Sequence, residues 1–143
     1  MAEFPEKYYK MDEPVRRFAN RNLIGIKKDE TVQKAAQRMD EFDMSSLVVL
    51  NDSEEIVGFF TDSDIKSKVT AKGLKPDIPV KEIMETDLIT IEIDTPVKRA
   101  TKKMTEQGVK HLLVEEEDEI KGILTFSDLI GVEELEINTH ISR

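Results

Sequence analysis

Short apolar runs alternate along this chain with stretches whose apolar residues recur every three or four positions. Residues 22–26 (NLIGI), 46–50 (SLVVL) and 55–60 (EIVGFF) are compact and rich in β-branched residues, the pattern of strands. Between the first two, Val32, Ala35, Ala36, Met39 and Phe42 share one face at helical spacing, which predicts a helix with those residues in the core. The same order returns as DLITI (87–91), HLLV (111–114) and EIKGIL (119–124), with Val97, Ala100, Thr101 and Met104 as the helical stripe. Thr95 followed by Pro96 predicts a cap and first-turn pair for that second helix. Gly108 suits the helix stop; Asp43, at the matching place, is a poorer terminator.

The two halves are one unit written twice. An offset of 65 aligns Pro14/Pro79, Val15/Val80, Leu23/Leu88, Ile26/Ile91, Asp29/Asp94, Val32/Val97, Ala35/Ala100 and Met39/Met104. One residue is lost in the turn after the second strand. Gly58/Gly122, Thr61/Thr125, Ser63/Ser127 and Asp64/Asp128 then match at an offset of 64. A helix starts at each Thr-x-x-Asp, so the order is β-α-β-β-α, twice. This predicts an α+β fold with a first unit at residues 14–73, a linker at 74–78 and a second unit at 79–136. An arm (1–13, with Tyr8 and Tyr9) and a tail (137–143) flank them. A unit of about fifty residues buries too little surface to be secure alone, so the two are expected to pack as a pseudo-two-fold pair around a cleft.

Composition then narrows the function classes. A net charge of −9 argues against nucleic acid and anionic membranes, although Arg16, Arg17 and Arg21 form a local basic patch. There is no Cys and only two His, His111 and His140, which removes thiol chemistry and the common zinc frameworks. No apolar run is long enough to span a bilayer and no leader pattern opens the chain, so a cytoplasmic location is expected. The acidic run 115–119 predicts a solvated hairpin turn. No nucleophile–base constellation or metal triad stands out, so an enzyme is not expected.

The tandem unit closing on Gly-h-h-Thr-x-x-Asp, over about residues 14–133, resembles the CBS domain pair, or Bateman module, in stand-alone form. Two such motifs, each after a Gly-bearing strand in aligned repeats, carry the resemblance. It implies a cleft for an adenosyl ligand such as AMP, ADP, ATP or S-adenosylmethionine, with no cofactor required for activity. It further implies that Asp64 and Asp128 accept the ribose hydroxyls while Thr61 and Thr125 lie near the phosphate or its substitute. By the same resemblance Ile24, Met44, Ser45, Ser46 and Ile123 wall the Asp128 site, and Ile89, Val109, Lys110, His111 and Phe59 the Asp64 site. The chemistry is sound on its own terms. A vicinal diol offers two donors, and an ionised carboxylate accepts both. A helix start favours an anion.

Ser63 and Ser127 precede the Asp where phosphate-binding relatives frequently carry Arg, and Asp62 adds a negative charge. S-adenosylmethionine or methylthioadenosine therefore stands as the alternative ligand. A bland reading coexists with all of this: Thr-x-x-Asp is also a capping-box variant. The expected role is a regulatory, energy-sensing module for a partner protein, against a ligand-free scaffold for dimerisation or docking. The resemblance also implies a homodimer, with Ile65, Val69, Leu129 and Val132 as apolar positions for the contact.

Overall fold

The computed structural model describes residues 11–129. Residues 1–10 of the expected arm, the tail at 137–143 and Val132 lie outside the described residues. Each half carries a three-stranded sheet and a long helix. The first half runs β1 (Gly25–Lys27), α1 (Val32–Phe42), β2 (Ser46–Leu50), β3 (Ile56–Thr61) and α2 (Asp62–Asp64), which continues as a π-helical stretch, Ile65–Thr70. The second runs β4 (Thr90–Glu92), α3 (Val97–Gln107), β5 (His111–Glu116) and β6 (Glu119–Thr125), after which residues 126–129 are helical. In both sheets the first strand pairs parallel with the second, across the helix, and the second pairs antiparallel with the third. The mixed α+β expectation holds.

The first strand of each half is shorter than its apolar run. Leu23 and Ile24 precede β1, yet the Ile24 carbonyl still accepts from the Val48 amide at 3.0 Å. Both helices end in a left-handed residue, Asp43 (φ 53°) and Gly108 (φ 66°). The start of α1 is capped by Thr31 Oγ1, which accepts from the Lys34 amide at 3.1 Å. The start of α3 departs from expectation. Pro96 itself occupies the cap position in extended conformation and no side chain caps the helix, so Thr95 lies outside it. The reason is a backbone bridge between Pro96 and Pro14, beside which the Val97 amide donates to the Glu13 carbonyl at 2.9 Å.

That bridge belongs to a recurrent device. The chain divides into two compact units, Leu23–Leu88 on one hand, and Met1–Asn22 with Ile89–Arg143 on the other. Each sequence repeat therefore lends its lead-in to the unit built on the other repeat's sheet. In the unit Leu23–Leu88, a 3-10 turn at Val80–Glu82 buries Val80 in the core, and the Val32 amide donates to the Ile78 carbonyl. Glu85 then exchanges two backbone hydrogen bonds of 2.8 Å with Phe59 on the outer edge of β3. In the other unit the 3-10 turn Val15–Arg17 buries Val15, and Asn20 pairs in the same way with Ile123 on β6. The outer edges of β3 and β6 are thus bridged by the lead-ins, which makes these two edges poorer templates for association.

The core of the first unit gathers Ile26, Val32, Ala35, Met39, Leu47, Val49, Phe60, Val69, Val80 and Ile83. The core of the other gathers Val15, Ile91, Ile93, Val97, Ala100, Met104, Leu112, Val114, Leu124 and Leu129. Phe42, expected in the core, is 45% exposed on the last turn of α1, with the Arg38 guanidinium 5.9 Å from its ring centre. Val69 and Leu129 are buried in their own units and Ile65 packs against one core. Val69 and Leu129 are thus spent on the core of their own units, while Ile65 stays half-buried.

Candidate functional site

Both Thr-x-x-Asp motifs sit where the third strand turns into a helix. In the unit Leu23–Leu88, the Thr61 amide donates to Asp64 Oδ2 at 2.9 Å, and the Asp64 amide donates to Thr61 Oγ1 at 3.2 Å. In the other unit the Thr125 amide donates to Asp128 Oδ2 at 3.0 Å and the Asp128 amide to Thr125 Oγ1 at 3.3 Å. The Thr125 hydroxyl lies a further 2.9 Å from Asp128 Oδ2, positioned to donate. These are complete capping boxes, so the shorter Asp arm does reach back to the cap amide. Capping also orients the carboxylate. With both partners on the strand-to-helix turn, its plane is set by the chain itself.

The occupancy of the two carboxylates differs. An ionised carboxylate offers about four acceptor sites. Asp64 spends one on the Thr61 amide through Oδ2, and its Oδ1 meets the Lys68 ammonium at 3.2 Å. Asp128 takes both its hydrogen bonds on Oδ2. Among the described residues no cation approaches Asp128 as Lys68 approaches Asp64. Lys68 is the site residue the sequence reading passed over. Its signal was present, since an acid and a lysine four apart on a helix face one another.

The remaining expected residues fall into two equivalent groups, one per unit. Ser46 pairs with Thr61 across β2 and β3, and the Asp62 amide donates to the Ser45 carbonyl at 3.0 Å, which sets the turn 44–46 beside the first motif. Ser46 and Thr61 are both buried. Val48, opposite Phe59, also bonds to Ile24, so Ile24 and Phe59 flank the central strand there. In the other unit His111 pairs with Thr125, and the Phe126 amide donates to the Lys110 carbonyl at 2.7 Å. Leu113 lies between Ile89 and Ile123 in the same way. The structure places Met44–Ser46 beside Thr61, and Val109–His111 beside Thr125, each in its own unit. Lys110 is exposed and His111 half-buried.

The motif glycines have a physical reason. A Cβ on Gly122 would stand 3.0 Å from the Asn20 carbonyl oxygen, and one on Gly58 would collide with the Met84 thioether. Both lie where the lead-in crosses the edge strand, so the glycine admits the covering bridge. The basic patch is offset locally. Arg16 bonds Asp94 and Glu116, Arg21 bonds Glu116, and Arg17 bonds Glu13. Hydrogen bonding to Arg16 holds Asp94 below the usual carboxylate range. Bonds from Arg21 and then Arg16 do the same for Glu116. At the matching place in the first unit a bond from Lys81 lowers Asp29. Among the described residues no group of three or more acidic or histidine side chains could hold a metal ion. Nor is any helix among them long and apolar enough to cross a membrane.

Comparison with known proteins agrees with this architecture. The CBS domain family model matches residues 15–71 and again 80–134. A crystal structure of a conserved protein from Pyrococcus horikoshii is 46% identical, covers 86% of this chain and 93% of its own, and superposes with a TM-score of 0.81. The Methanopyrus kandleri protein MK0525 is 33% identical over 117 residues, which is 80% of this chain and 60% of that protein's length. The CBS domain pair of protein MJ0100, solved in complex with 5′-methylthioadenosine and S-adenosyl-L-methionine, shares the fold at 22% identity and a TM-score of 0.74, over 85% of this chain and 95% of that one. Two matched CBS repeats, each with its own sheet, helix and boxed Thr-x-x-Asp, place the chain in the CBS domain family.

Proposed function

We propose that the protein is a regulatory binding module for an adenosine-containing metabolite of the AMP, ADP or ATP type, held at Thr61/Asp64 and Thr125/Asp128. The observation that carries this reading is the pair of carboxylates locked by capping boxes with acceptor sites to spare. A ribose diol needs two charged acceptor sites in a fixed plane, and a preoriented carboxylate supplies them without an ordering cost at binding. At Asp128, Oδ1 is the natural seat for one hydroxyl. The start of the following helix and Lys110, whose carbonyl takes the Phe126 amide, favour an anionic group nearby. The bound metabolite shifts the protein between states that a partner distinguishes, by no more than its differential affinity for them. A homodimer forms part of the reading, and a strict monomer in sedimentation removes it.

One observation favours a second ligand class. Ser63 and Ser127 stand before the Asp, Asp62 adds charge beside Asp64, and Lys68 is engaged with Asp64 rather than free for a phosphate. S-adenosylmethionine or methylthioadenosine, cationic or neutral, suits such a site, and a CBS pair of the same fold has been solved with both. Calorimetric titration of AMP, ATP, S-adenosylmethionine and methylthioadenosine separates the classes. Binding by wild type and its loss in Asp64→Ala plus Asp128→Ala is expected. Absence of heat and of a thermal shift with all four leaves the ligand-free scaffold, in which the double variant costs only about 1 kcal/mol per cap.

A further inference from the structure

Lys68 lies in the π-helical stretch Ile65–Thr70, four residues after Asp64. Its ammonium is 3.2 Å from Asp64 Oδ1 and donates to the Ile83 carbonyl at 3.1 Å. With three donors one amine can hold both acceptors at once. Ile83 closes the 3-10 turn Val80–Glu82, and two residues later Glu85 forms the double bridge to Phe59, two residues ahead of Thr61. The same amine therefore touches the carboxylate of the motif and the segment by which the chain leaves the unit at Leu88. The Asp64 side chain is only 14% exposed and that of Lys68 41%, so the pair is less screened than a fully solvated one. π-helical turns are rare and concentrate at functional sites. The second repeat has Val132 at the matching position, so no amine there can make the same link to Asp128.

We propose that Lys68 is a positioning residue of the Asp64 site that couples this carboxylate to the lead-in of the second repeat through Ile83. Asp64 anchors the ammonium, and the anchored ammonium holds the Ile83 carbonyl. A ligand hydroxyl that takes Oδ1 weakens the anchor and loosens the lead-in. This deepens the ligand reading above by adding what binding at Asp64 moves.

The test is amide hydrogen exchange on the full chain, read at Glu85, with Asn20 of the other unit as the control. Four proteins are compared without ligand: wild type, Asp64→Asn, Lys68→Met and the double variant. Each single substitution is expected to speed Glu85 exchange by about two- to fivefold, the double by no more than either, and Asn20 by nothing. Lys68→Arg, which keeps the charge, restores the slow rate. Additive effects, an unchanged Glu85 rate in either single variant, or an equal change at Asn20 overturns the proposal. In the second arm AMP and S-adenosylmethionine are added to wild type and to Lys68→Met. Either compound, on binding wild type, is expected to raise the Glu85 rate; Lys68→Met, saturated as judged by calorimetry at whatever concentration that takes, shows no further rise. If neither binds wild type, the ligand reading fails while the four-protein comparison still judges Lys68. If Lys68→Met shows the same ligand-dependent rise, the coupling fails and the ligand reading stands.

Discussion

Asp64 and Asp128 close equivalent loops and are held by the same reciprocal box, but their cations stand in different places. Beside Asp64 the amine is Lys68, on the helix after the motif, while the turn before β2 offers only Ser45 and Ser46. In the second repeat the matching sequence position is Val132, while Lys110 and His111 stand at the entry to β5. The backbone preserves what orients the carboxylate, since the cap amide and the strand pairing need no particular neighbour. Net charge is decided by single side chains on the elements either side. Asp64 meets an ammonium at its own oxygen; among the described residues Asp128 meets none, and Lys110 lies beside the start of the following helix. Duplication has thus kept one boxed carboxylate and diversified its surroundings.

The largest test of this equivalence concerns the glycines under the lead-ins. Gly122→Ala brings a Cβ to 3.0 Å from the Asn20 carbonyl oxygen, so the backbone of the lead-in has to move. Gly58→Ala meets first the Met84 side chain, which can rotate, and then the Glu85 carbonyl oxygen at 3.3 Å. Overpacking of this kind costs about 1–3 kcal/mol, with Gly122→Ala at the upper end and Gly58→Ala at the lower. Urea unfolding of the two variants measures it. Equal losses would show that the two lead-ins yield alike, and a neutral Gly122→Ala would remove the close approach as the reason for the glycine.

Much of this was legible in the sequence. SLVVL became β2 without change, because a run apolar on both faces and bounded by polar turns leaves a strand few alternatives. The boxed Thr-x-x-Asp was legible as well, since capping depends on residues three apart. The exchange of lead-ins was not. Residues 14–20 and 79–85 read as the opening of their own repeats, yet they fold onto the sheet of the other. They do so through backbone bonds at Val15, Asn20, Val80 and Glu85, which leave no periodic signature in the side chains. The misread cap at Thr95 has the same source, because the bridge to Pro14 fixes Pro96 in the cap position. The exposure of Phe42 was hidden because spacing assigns a face, whereas the helix ends at that residue.

A smaller contrast lies at the helix stops. Asp43 and Gly108 adopt nearly the same left-handed conformation, which costs Asp more than Gly. Asp43→Gly is expected to stabilise the protein by about 0.5–1 kcal/mol, and Gly108→Ala to destabilise it by about 1 kcal/mol. Thermal melts of the two variants check the signs. A destabilised Asp43→Gly would mean that the Asp side chain does more at this turn than tolerate it.

The smallest expected effect is electrostatic and again compares the two units. Asp29 with Lys81, and Asp94 with Arg16, are the same pair repeated, each tying a lead-in to the turn before a helix. Both carboxylates are held below their ordinary values by these bonds. A depressed carboxylate contributes stability that is complete above the unfolded pKa, about pH 4, and is lost as pH falls through the lower folded value. Stability should therefore decline between about pH 5 and pH 3, and each variant that breaks a pair should flatten the slope. Arg16 also bonds Glu116, whereas Lys81 pairs Asp29 alone among the ion pairs of the described residues. Arg16→Met should flatten the slope more than Lys81→Met, although Arg21 retains part of the hold on Glu116. Denaturant midpoints for wild type and both variants at pH 6, 4.5 and 3 measure it, and equal slopes in all three would make these exposed pairs marks of the repeat with no share in its acid sensitivity.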